Sequence, residues 1–415
     1  MEPAHTPVDP LGLYFSIPFC RSKCTFCNFA SGVYPPSQLE LYLSRLLDDL
    51  ANAHSWARQQ GLILPRQVDT VYFGGGTPSL LAPAQLAFLL AAVRAHFSVS
   101  PAAEITLEAA PGFLSEDLLA ACAGQGVTRI SFGVQTFVDA EARGVGRLHT
   151  AAQAMQDVAR ARSVGMAVSL DLIAGLPGQT ESSWRHSLQA LCDLAPEHAS
   201  VYMLEVDEDS RLGGEMLLGG TRYGAALTPS DDAVADFYQE ACLVLAANGL
   251  EQYEISNFAR HGHPSRHNQR YWQRRPYLGL GLDAHSMLRT TGGQAVRFGS
   301  TEDLDHYLRP PAPHQALHRL TRQEELEEAW FLGLRCNSGV ALEAIRVEFG
   351  PAALAACMPA LATLAADGLL SLGPSRAALT SRGRLLSNEV FSRLLGIEAE
   401  ELPIEAREPV SSSFL

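Results

Sequence analysis

Three cysteines stand close together near the start of the chain, in the stretch FCRSKCTFCNF from residue 19 to residue 29. Cys20, Cys24 and Cys27 have the spacing C-x3-C-x2-C. A structural zinc ion normally takes four protein ligands, often as two closely spaced pairs, and no second pair follows nearby. An iron–sulfur cluster held by three thiolates leaves one iron open to a ligand that is not protein. The triplet therefore favours such a cluster, with zinc as the alternative.

A second group of polar residues follows later apolar runs. The sequence GGGTP, which includes Gly75, Gly76 and Thr77, comes directly after one run. Glycines let a backbone approach a ligand closely, although a tight turn would also use them. Single polar residues mark the ends of the next three runs: Glu108, Gln135 and Asp171. In β/α barrels the site is built at the carboxyl ends of several strands, so these positions predict one shared site.

The elements that must position these residues alternate along the first 250 residues. Short runs rich in β-branched and aromatic residues are followed by longer helical patterns. The candidate strands are LYFSI, DTVYFGG, EITLEAA, RISFGVQ, AVSLDLIAGL and ASVYMLEV. Repeated strand–helix units predict a parallel sheet with helices outside it, and the near-continuous apolar runs indicate strands buried on both faces. A β/α barrel and a doubly wound sheet both fit, and the polar strand ends favour the barrel.

We predict four segments from the changes in composition. Residues 1–250 form an α/β unit, a partial (β/α)6 barrel, and residues 251–313 form a connecting segment. Residues 314–397 form a smaller winged-helix-like domain of short helices and a β-wing. The tail 398–415 is polar, contains proline and is expected to be mobile.

The composition excludes some functional classes. The chain has 31 basic and 45 acidic residues, which give a formal net charge of −14. General nucleic-acid binding needs a basic surface, so no nucleic-acid partner is expected. The start MEPAHTPVDP has no basic and apolar signal pattern, and no apolar stretch is long enough to span a bilayer. We expect a cytoplasmic protein, with peripheral membrane contact and a homodimer left open.

The cysteine triplet after the first strand of a β/α barrel resembles the radical S-adenosylmethionine (SAM) superfamily. The resemblance implies that Cys20, Cys24 and Cys27 hold a [4Fe–4S] cluster and that SAM chelates its unique iron. In that superfamily one electron cleaves SAM to a 5′-deoxyadenosyl radical. The resemblance further implies a SAM site formed by Tyr14, Phe26, Gly75, Gly76, Thr77, Glu108, Gln135, Arg147 and Asp171.

Several strings narrow the resemblance to the coproporphyrinogen-dehydrogenase-like branch: YFSIPFCRSKCTFCNF, RISFGVQTF, GRLHT, DLIAGLPGQT and YEISNFA. The anaerobic coproporphyrinogen III dehydrogenases, which convert two propionates to vinyls, continue the cysteine motif with a fourth cysteine. Here that position is Phe29, as in heme chaperones of the HemW type. The resemblance thus implies a heme chaperone, and the dehydrogenase is the alternative function.

The stretch SRHNQRYWQ carries the second discriminating motif. His267, Asn268, Tyr271 and Trp272 match the chaperone motif H-N-x-x-Y-W, which implies a heme site. Residues 260–275 also hold five arginines, three histidines and no acid. Arginines suit the heme propionates, aromatic rings suit the macrocycle, and histidine suits the iron. A basic surface loop with a hydrogen-bonded structural histidine would have the same composition.

The family pattern is not matched everywhere. Leu282 and Asp283 stand where the family more often has small residues before the string AHS, so we do not assign His285 to the site. The resemblance implies one heme per chain, passed to the apo form of a heme protein. It also implies that the cluster and SAM act in regulation or assembly and that coproporphyrinogen III dehydrogenase activity is absent.

Overall fold

The computed structural model describes residues 9–309 and 316–397, and the tail predicted to be mobile lies outside the described residues. The chain divides into two compact units, Met1–Arg319 and Leu320–Leu415. No described helix combines the length and the apolar character needed to cross a membrane.

The first unit is built on one 13-stranded sheet. Its strands are β1 Leu11–Ile17, β2 Leu62–Ile63, β3 Gln67–Gly75, β4 Ser98–Ala109, β5 Arg129–Gln135, β6 Ala167–Ala174, β7 His198–Met203, β8 Glu251–Gln252, β9 Asn257–Ala259, β10 Tyr277–Leu280, β11 His285–Thr290, β12 Ala295–Gly299 and β13 His318–Arg319. Six of them, β1, β3, β4, β5, β6 and β7, are neighbours in that order and pair in parallel. The predicted partial (β/α)6 barrel is therefore confirmed.

The helices of this unit are α1 Pro36–Gln59, α2 Pro83–His96, α3 Glu116–Gly124, α4 Asp139–Gly144, α5 Ala151–Ser163, α6 Glu181–Leu194, α7 Arg211–Leu217, α8 Asp231–Ala247, α9 Arg266–Trp272 and α10 Leu304–Tyr307. Several begin at side-chain caps, as when Thr150 accepts a hydrogen bond from the Gln153 N–H at the start of α5. Helix α1 buries residues three or four positions apart, including Leu43, Leu46 and Leu50. That spacing gives an amphipathic helix one apolar face against the sheet.

The barrel strands alternate between two environments. Leu11, Leu13 and Phe15 are fully buried on the outer face of β1, whereas the alternate positions Tyr14 and Ser16 point the other way. The same alternation continues round the sheet, so the inner face is polar. The predicted burial of these strands on both faces is confirmed, since most residues of β1, β5 and β6 are buried. The inner face nevertheless carries polar side chains such as Ser16 and Ser131, as a barrel with a site inside requires.

The segment 251–313 contributes strands to both edges of the barrel sheet. Strands β8 and β9 extend it beyond β7 in antiparallel pairing. At the other edge β10 pairs in parallel with β1, and β11 and β12 continue the sheet. Helix α9 lies between these two additions in the chain.

The second unit contains five helices among its described residues: α11 Arg322–Arg335, α12 Leu342–Phe349, α13 Pro351–Ala366, α14 Ser381–Leu385 and α15 Ser387–Ser392. Its strands are β14 Val340–Ala341, β15 Leu370–Leu372 and β16 Arg376–Leu379, in the order β14-β16-β15. The hairpin of β15 and β16 forms the wing. The predicted winged-helix-like domain is confirmed.

Candidate functional site

The three cysteines lie on the loop of residues 18–35 between β1 and α1, which we call the cysteine loop. The segment that follows β3 is hydrogen-bonded to the end of β1 and to the start of the cysteine loop. The Gly76 N–H donates to the Ile17 carbonyl (3.0 Å), and the Thr77 N–H donates to the Phe19 carbonyl (2.9 Å). Farther along, Phe26 packs against the buried cluster of Val145, Ile173 and Leu176. The loop is thus fixed over the carboxyl ends of the strands.

All three cysteines of the loop are free thiols with a polar neighbour. Thr77 Oγ1 donates to Cys20 Sγ at 3.5 Å, and Arg147 Nη1 donates to Cys24 Sγ at 3.6 Å. Cys27 Sγ lies 3.9 Å from a hydroxyl, and burial raises the pKa of this thiol. Donors directed at sulfur are suited to thiolates that carry negative charge.

Within residues 9–309 and 316–397, no three or more His, Cys, Asp or Glu side chains are arranged to hold one metal ion. A zinc ion would draw all its sulfur ligands to about 2.3 Å. The thiolates of a [4Fe–4S] cluster each bind a different iron and need not converge on one point. Three free thiols on one loop are the donor set that such a cluster takes, so the cysteines present fit it.

The glycines after β3 are required by backbone contacts. Gly75 has φ +98°, a conformation that residues with a Cβ atom rarely adopt. A Cβ at Gly76 would lie 2.7 Å from the Ile17 carbonyl oxygen. Only glycine lets this segment lie so close to the start of the cysteine loop.

Two half-buried acids lie on the inner face of the barrel, and Glu108 is close to Gly74. Glu108 accepts a hydrogen bond from Tyr72 Oη at 2.8 Å, and burial raises the pKa of Glu108 to about 7. Burial also raises the pKa of Asp171 to about 6, although hydrogen bonds from Ser200 and Ser131 oppose the shift. Two acids with so little solvation favour a cationic ligand, and SAM carries a sulfonium and an amino group.

Gln135 and Arg147 leave polar atoms without partners. Gln135 has φ +70°, although it is not glycine. Its Oε1 atom and the Nε atom of Arg147 are buried and have no hydrogen-bond partner among the described residues, while Arg147 Nη2 donates to the Gly133 carbonyl. Such groups cost about 1–3 kcal/mol each when unpaired. A polar ligand at this position would satisfy them, so the residues present fit SAM.

The H-N-x-x-Y-W motif forms α9, which lies across the amino ends of the barrel strands. The Glu104 carboxylate of β4 accepts hydrogen bonds from the backbone N–H groups of Arg266 (3.2 Å) and His267 (3.1 Å). Farther along the helix, the fully buried Arg270 donates to Asp69 at the start of β3. Arg266 and Arg275 also lie within ion-pair distance of this carboxylate. Three of the five arginines therefore hold the segment to the barrel.

His267 lies inside the barrel, with 1% of its surface exposed. Its Nδ1 is 2.9 Å from Thr70 Oγ1, and its Nε2 is 2.8 Å from Tyr271 Oη. Burial lowers the pKa of this imidazole to about 3, so the ring is neutral. The Asn268 N–H donates to the cap residue of α9, and the Trp272 ring contacts the Tyr271 ring.

A cavity of about 360 Å³ borders both regions. It is lined by Tyr14, Ser16, Phe29, Ala30, Ser31, Gly75, Tyr271, Tyr277, Leu282, Asp283 and His285. It therefore brings Tyr14 and Gly75, predicted for SAM, next to Tyr271 of the predicted heme motif. His267, Asn268 and Trp272 do not line it.

Sequence reasoning missed Tyr72, Ser131 and Tyr277. Tyr72 lies two residues before Gly74 in β3, and Ser131 lies two residues before Gly133 in β5. Each therefore shares a strand face with that glycine. Counting every second residue back from the polar strand ends would have found them. Nothing in the sequence marks Tyr277, which reaches the cavity because β10 adds to the sheet beside β1.

Two family models match the chain. The model described as Radical SAM superfamily matches residues 14–191, and the model described as HemN C-terminal domain matches residues 320–386. Their boundary agrees with the division of the structure into units at residue 320.

The chain is similar to "Heme chaperone HemW" of Bacillus subtilis, with 34% identity over 92% of this chain and 98% of that protein. It is 37% identical to the bovine "Radical S-adenosyl methionine domain-containing protein 1, mitochondrial" over 79% of this chain and 74% of that one. Among solved structures it resembles coproporphyrinogen III oxidase (HemN) from Escherichia coli, with a TM-score of 0.79 and 25% identity, over 95% of this chain and 92% of that chain.

Proposed function

We propose a function from one premise: the chain belongs to the HemW family of heme chaperones, within the radical SAM superfamily. The protein binds heme together with a [4Fe–4S] cluster and SAM, and transfers the heme to an acceptor protein. The observation that carries this proposal is the cavity shared by the cysteine loop and α9. A ligand in that cavity contacts the residues of both motifs.

The cluster is held by Cys20, Cys24 and Cys27, and SAM binds beside it as the exchangeable ligand. The half-buried acids Glu108 and Asp171 compensate the positive charge of SAM. Desolvation raises the pKa of both carboxyls, and a bound cation would favour their ionised forms. The other SAM residues are Tyr14, Phe26, Gly75, Gly76, Thr77, Gln135 and Arg147. When bound, the cluster supplies one-electron chemistry to SAM. We propose that this pair regulates or assembles the chaperone.

One heme binds per chain against α9. Tyr271 forms the wall of the cavity, and His267, Asn268 and Trp272 of the same helix hold it there. The hydrogen bond between Tyr271 Oη and His267 Nε2 (2.8 Å) and the ring contact of Tyr271 with Trp272 (6.2 Å between centroids) support this role. The aromatic wall of Tyr14, Tyr271 and Tyr277 suits a flat macrocycle.

The alternative is an oxygen-independent coproporphyrinogen III dehydrogenase, because HemN has the same fold. Phe29 argues against it. This residue occupies the position of the dehydrogenases' fourth cysteine, borders the cavity and is 61% exposed. A phenyl ring at the mouth of the cavity offers an apolar surface to a ligand and no metal ligand.

We propose that the protein acts in the cytoplasm and that its acceptor is the apo form of a heme protein, such as a respiratory enzyme. Size-exclusion chromatography, with and without heme, would test for a homodimer. Sedimentation with anionic lipid vesicles would test for peripheral membrane association.

The test is a heme titration of anaerobically reconstituted protein, followed by its Soret absorbance. We expect saturation near one heme per chain, and transfer of that heme to an apo-protein. The matched control for both measurements is the Cys24→Ala variant, which is expected to lack the cluster. No saturable binding would overturn the proposal. Vinyl products from coproporphyrinogen III, SAM and a reductant would establish the alternative.

A further inference from the structure

The cavity described above has one wall that the family motifs do not account for. The turn before β11 supplies Leu282, Asp283 and His285 to this wall. Tyr14 and Tyr271 line the same cavity. The ligand that binds against α9 must therefore also contact this turn.

The turn has a fixed conformation. The Leu282 N–H donates to Tyr42 Oη (2.8 Å), the Asp283 N–H to the Thr301 carbonyl (2.9 Å) and the Ala284 N–H to Ser300 Oγ (3.1 Å). Asp283 has φ +53°, which is uncommon for a residue other than glycine. Uncommon backbone conformations that the surrounding structure holds in place concentrate at ligand sites.

Asp283 is held next to the imidazole of His285. The Asp283 Oδ1 atom lies 3.6 Å from His285 Nε2, and the His285 side chain is 67% exposed. The Nδ1 atom of His285 makes no hydrogen bond to another described residue. A carboxylate within ion-pair distance of one ring nitrogen favours the proton on that nitrogen and leaves the lone pair of Nδ1 available to a metal.

His267 is a poor candidate for the same task in this conformation. Both of its ring nitrogens are engaged, by Thr70 and by Tyr271, and the residue is outside the cavity lining. An iron could reach its Nε2 only after the hydrogen bond to Tyr271 is broken and the tyrosine is displaced.

We propose that His285 is the axial ligand of the heme iron in this cavity and that Asp283 orients its imidazole. The assignment rests on the proposed heme-binding function and names the ligand that α9 does not supply. A neutral Nδ1 donates its lone pair to the iron, while Tyr14, Tyr271 and Tyr277 contact the macrocycle. Arg297 donates to Tyr277 Oη at 2.8 Å, which holds this tyrosine at the cavity wall.

The exposed rim of the cavity suits a ligand that is transferred to another protein. His285 and Phe29 are both exposed, so part of the macrocycle remains accessible to an acceptor. An axial ligand at the rim can be exchanged for a ligand of the acceptor without unfolding the barrel, whereas exchange of the buried His267 would require α9 to move.

The test compares the spectrum of bound heme in four proteins: the wild type, His285→Ala, His267→Gln and the control His261→Ala, an exposed histidine elsewhere on the basic segment. Resonance Raman spectra of the ferrous heme report the iron–histidine stretch. We expect His285→Ala alone to lose it, with recovery on adding imidazole. Asp283→Asn should weaken heme binding by about tenfold, the scale of a lost orienting partner.

The outcomes separate the two proposals. A histidine stretch that persists in His285→Ala and disappears in His267→Gln would overturn the assignment of the axial ligand while leaving the chaperone function intact. Persistence in all the variants would also overturn it. Failure of the wild type to bind heme would refute the proposed function itself. Circular dichroism of each variant checks that the fold is retained.

Discussion

Replacing Glu108 with glutamine should stabilise the cofactor-free protein, and more so at high pH. Burial raises the pKa of this carboxyl from 4.5 to about 7. The folded protein then binds the proton more tightly than the unfolded chain does. The stabilising effect of this proton is complete below pH 4.5 and is lost as the pH rises through 7.

The size of the effect follows from the two pKa values. One pKa unit corresponds to about 1.4 kcal/mol. The raised pKa therefore lowers the free energy of unfolding by about 3 kcal/mol at pH 8 and by about 1 kcal/mol at pH 5, relative to a carboxyl with an unshifted pKa. Glutamine carries no charge and can still accept the hydrogen bond of Tyr72 Oη, which is 2.8 Å from the carboxylate. The stability gain should thus be about 2 kcal/mol larger at pH 8 than at pH 5.

The assay is urea unfolding of the cluster-free protein at both pH values, followed by circular dichroism. The control is Glu302→Gln, since Glu302 is exposed and lies outside the site. An equal gain for Glu108→Gln at both pH values would refute the desolvation of this carboxyl. After reconstitution the same variant should bind SAM more weakly at pH 8, because the cation loses its carboxylate partner.

Three further predictions test other parts of the structure. Cys24→Ala should lose the cluster, measured as iron per chain, and keep its circular dichroism spectrum, because the barrel core does not depend on this thiol; four irons per chain would contradict this. Asp69→Asn should lower the free energy of unfolding by about 3–5 kcal/mol, since it leaves the buried guanidinium of Arg270 without its counter-charge; an unchanged urea midpoint would refute that role. His267→Ala should weaken heme binding and leave SAM binding intact, because Tyr271 loses its hydrogen bond; equal loss of both ligands in titrations would instead indicate a global defect.

The order of the barrel strands could be predicted from the sequence because each strand is followed by its own helix and polar terminus. The polar inner face could not be predicted, because the apolar residues of a run such as RISFGVQ show that the strand is buried but do not show which buried positions are polar. Arg129 and Ser131 in that run are buried in the barrel, where Arg129 pairs with Glu104 at 3.2 Å. Only the pairing of neighbouring strands β4 and β5 supplies such partners.

The residues proposed for the cluster and SAM follow motifs of fixed spacing, and the structure brings Gly76 and Thr77 against the cysteine loop. The surroundings of His267 were not predictable from composition. The arginines near it suggest a propionate site, yet Arg270 is buried against Asp69. An arginine-rich segment has the same composition whether its charges face a ligand or carboxylates of its own chain, and only tertiary contacts distinguish the two.

The polar interior explains how a short helix can shape a ligand cavity without a ligand. Helix α9 has seven residues, too few to be stable alone. Glu104 accepts its first N–H groups, Asp69 pairs with its arginines, and Thr70 fixes the ring of His267. These contacts hold Tyr271 at the cavity wall in the absence of a ligand. A wall fixed in advance reduces the ordering cost of binding, so under the proposed function the inner face of the barrel would contribute to heme affinity through residues that do not line the cavity.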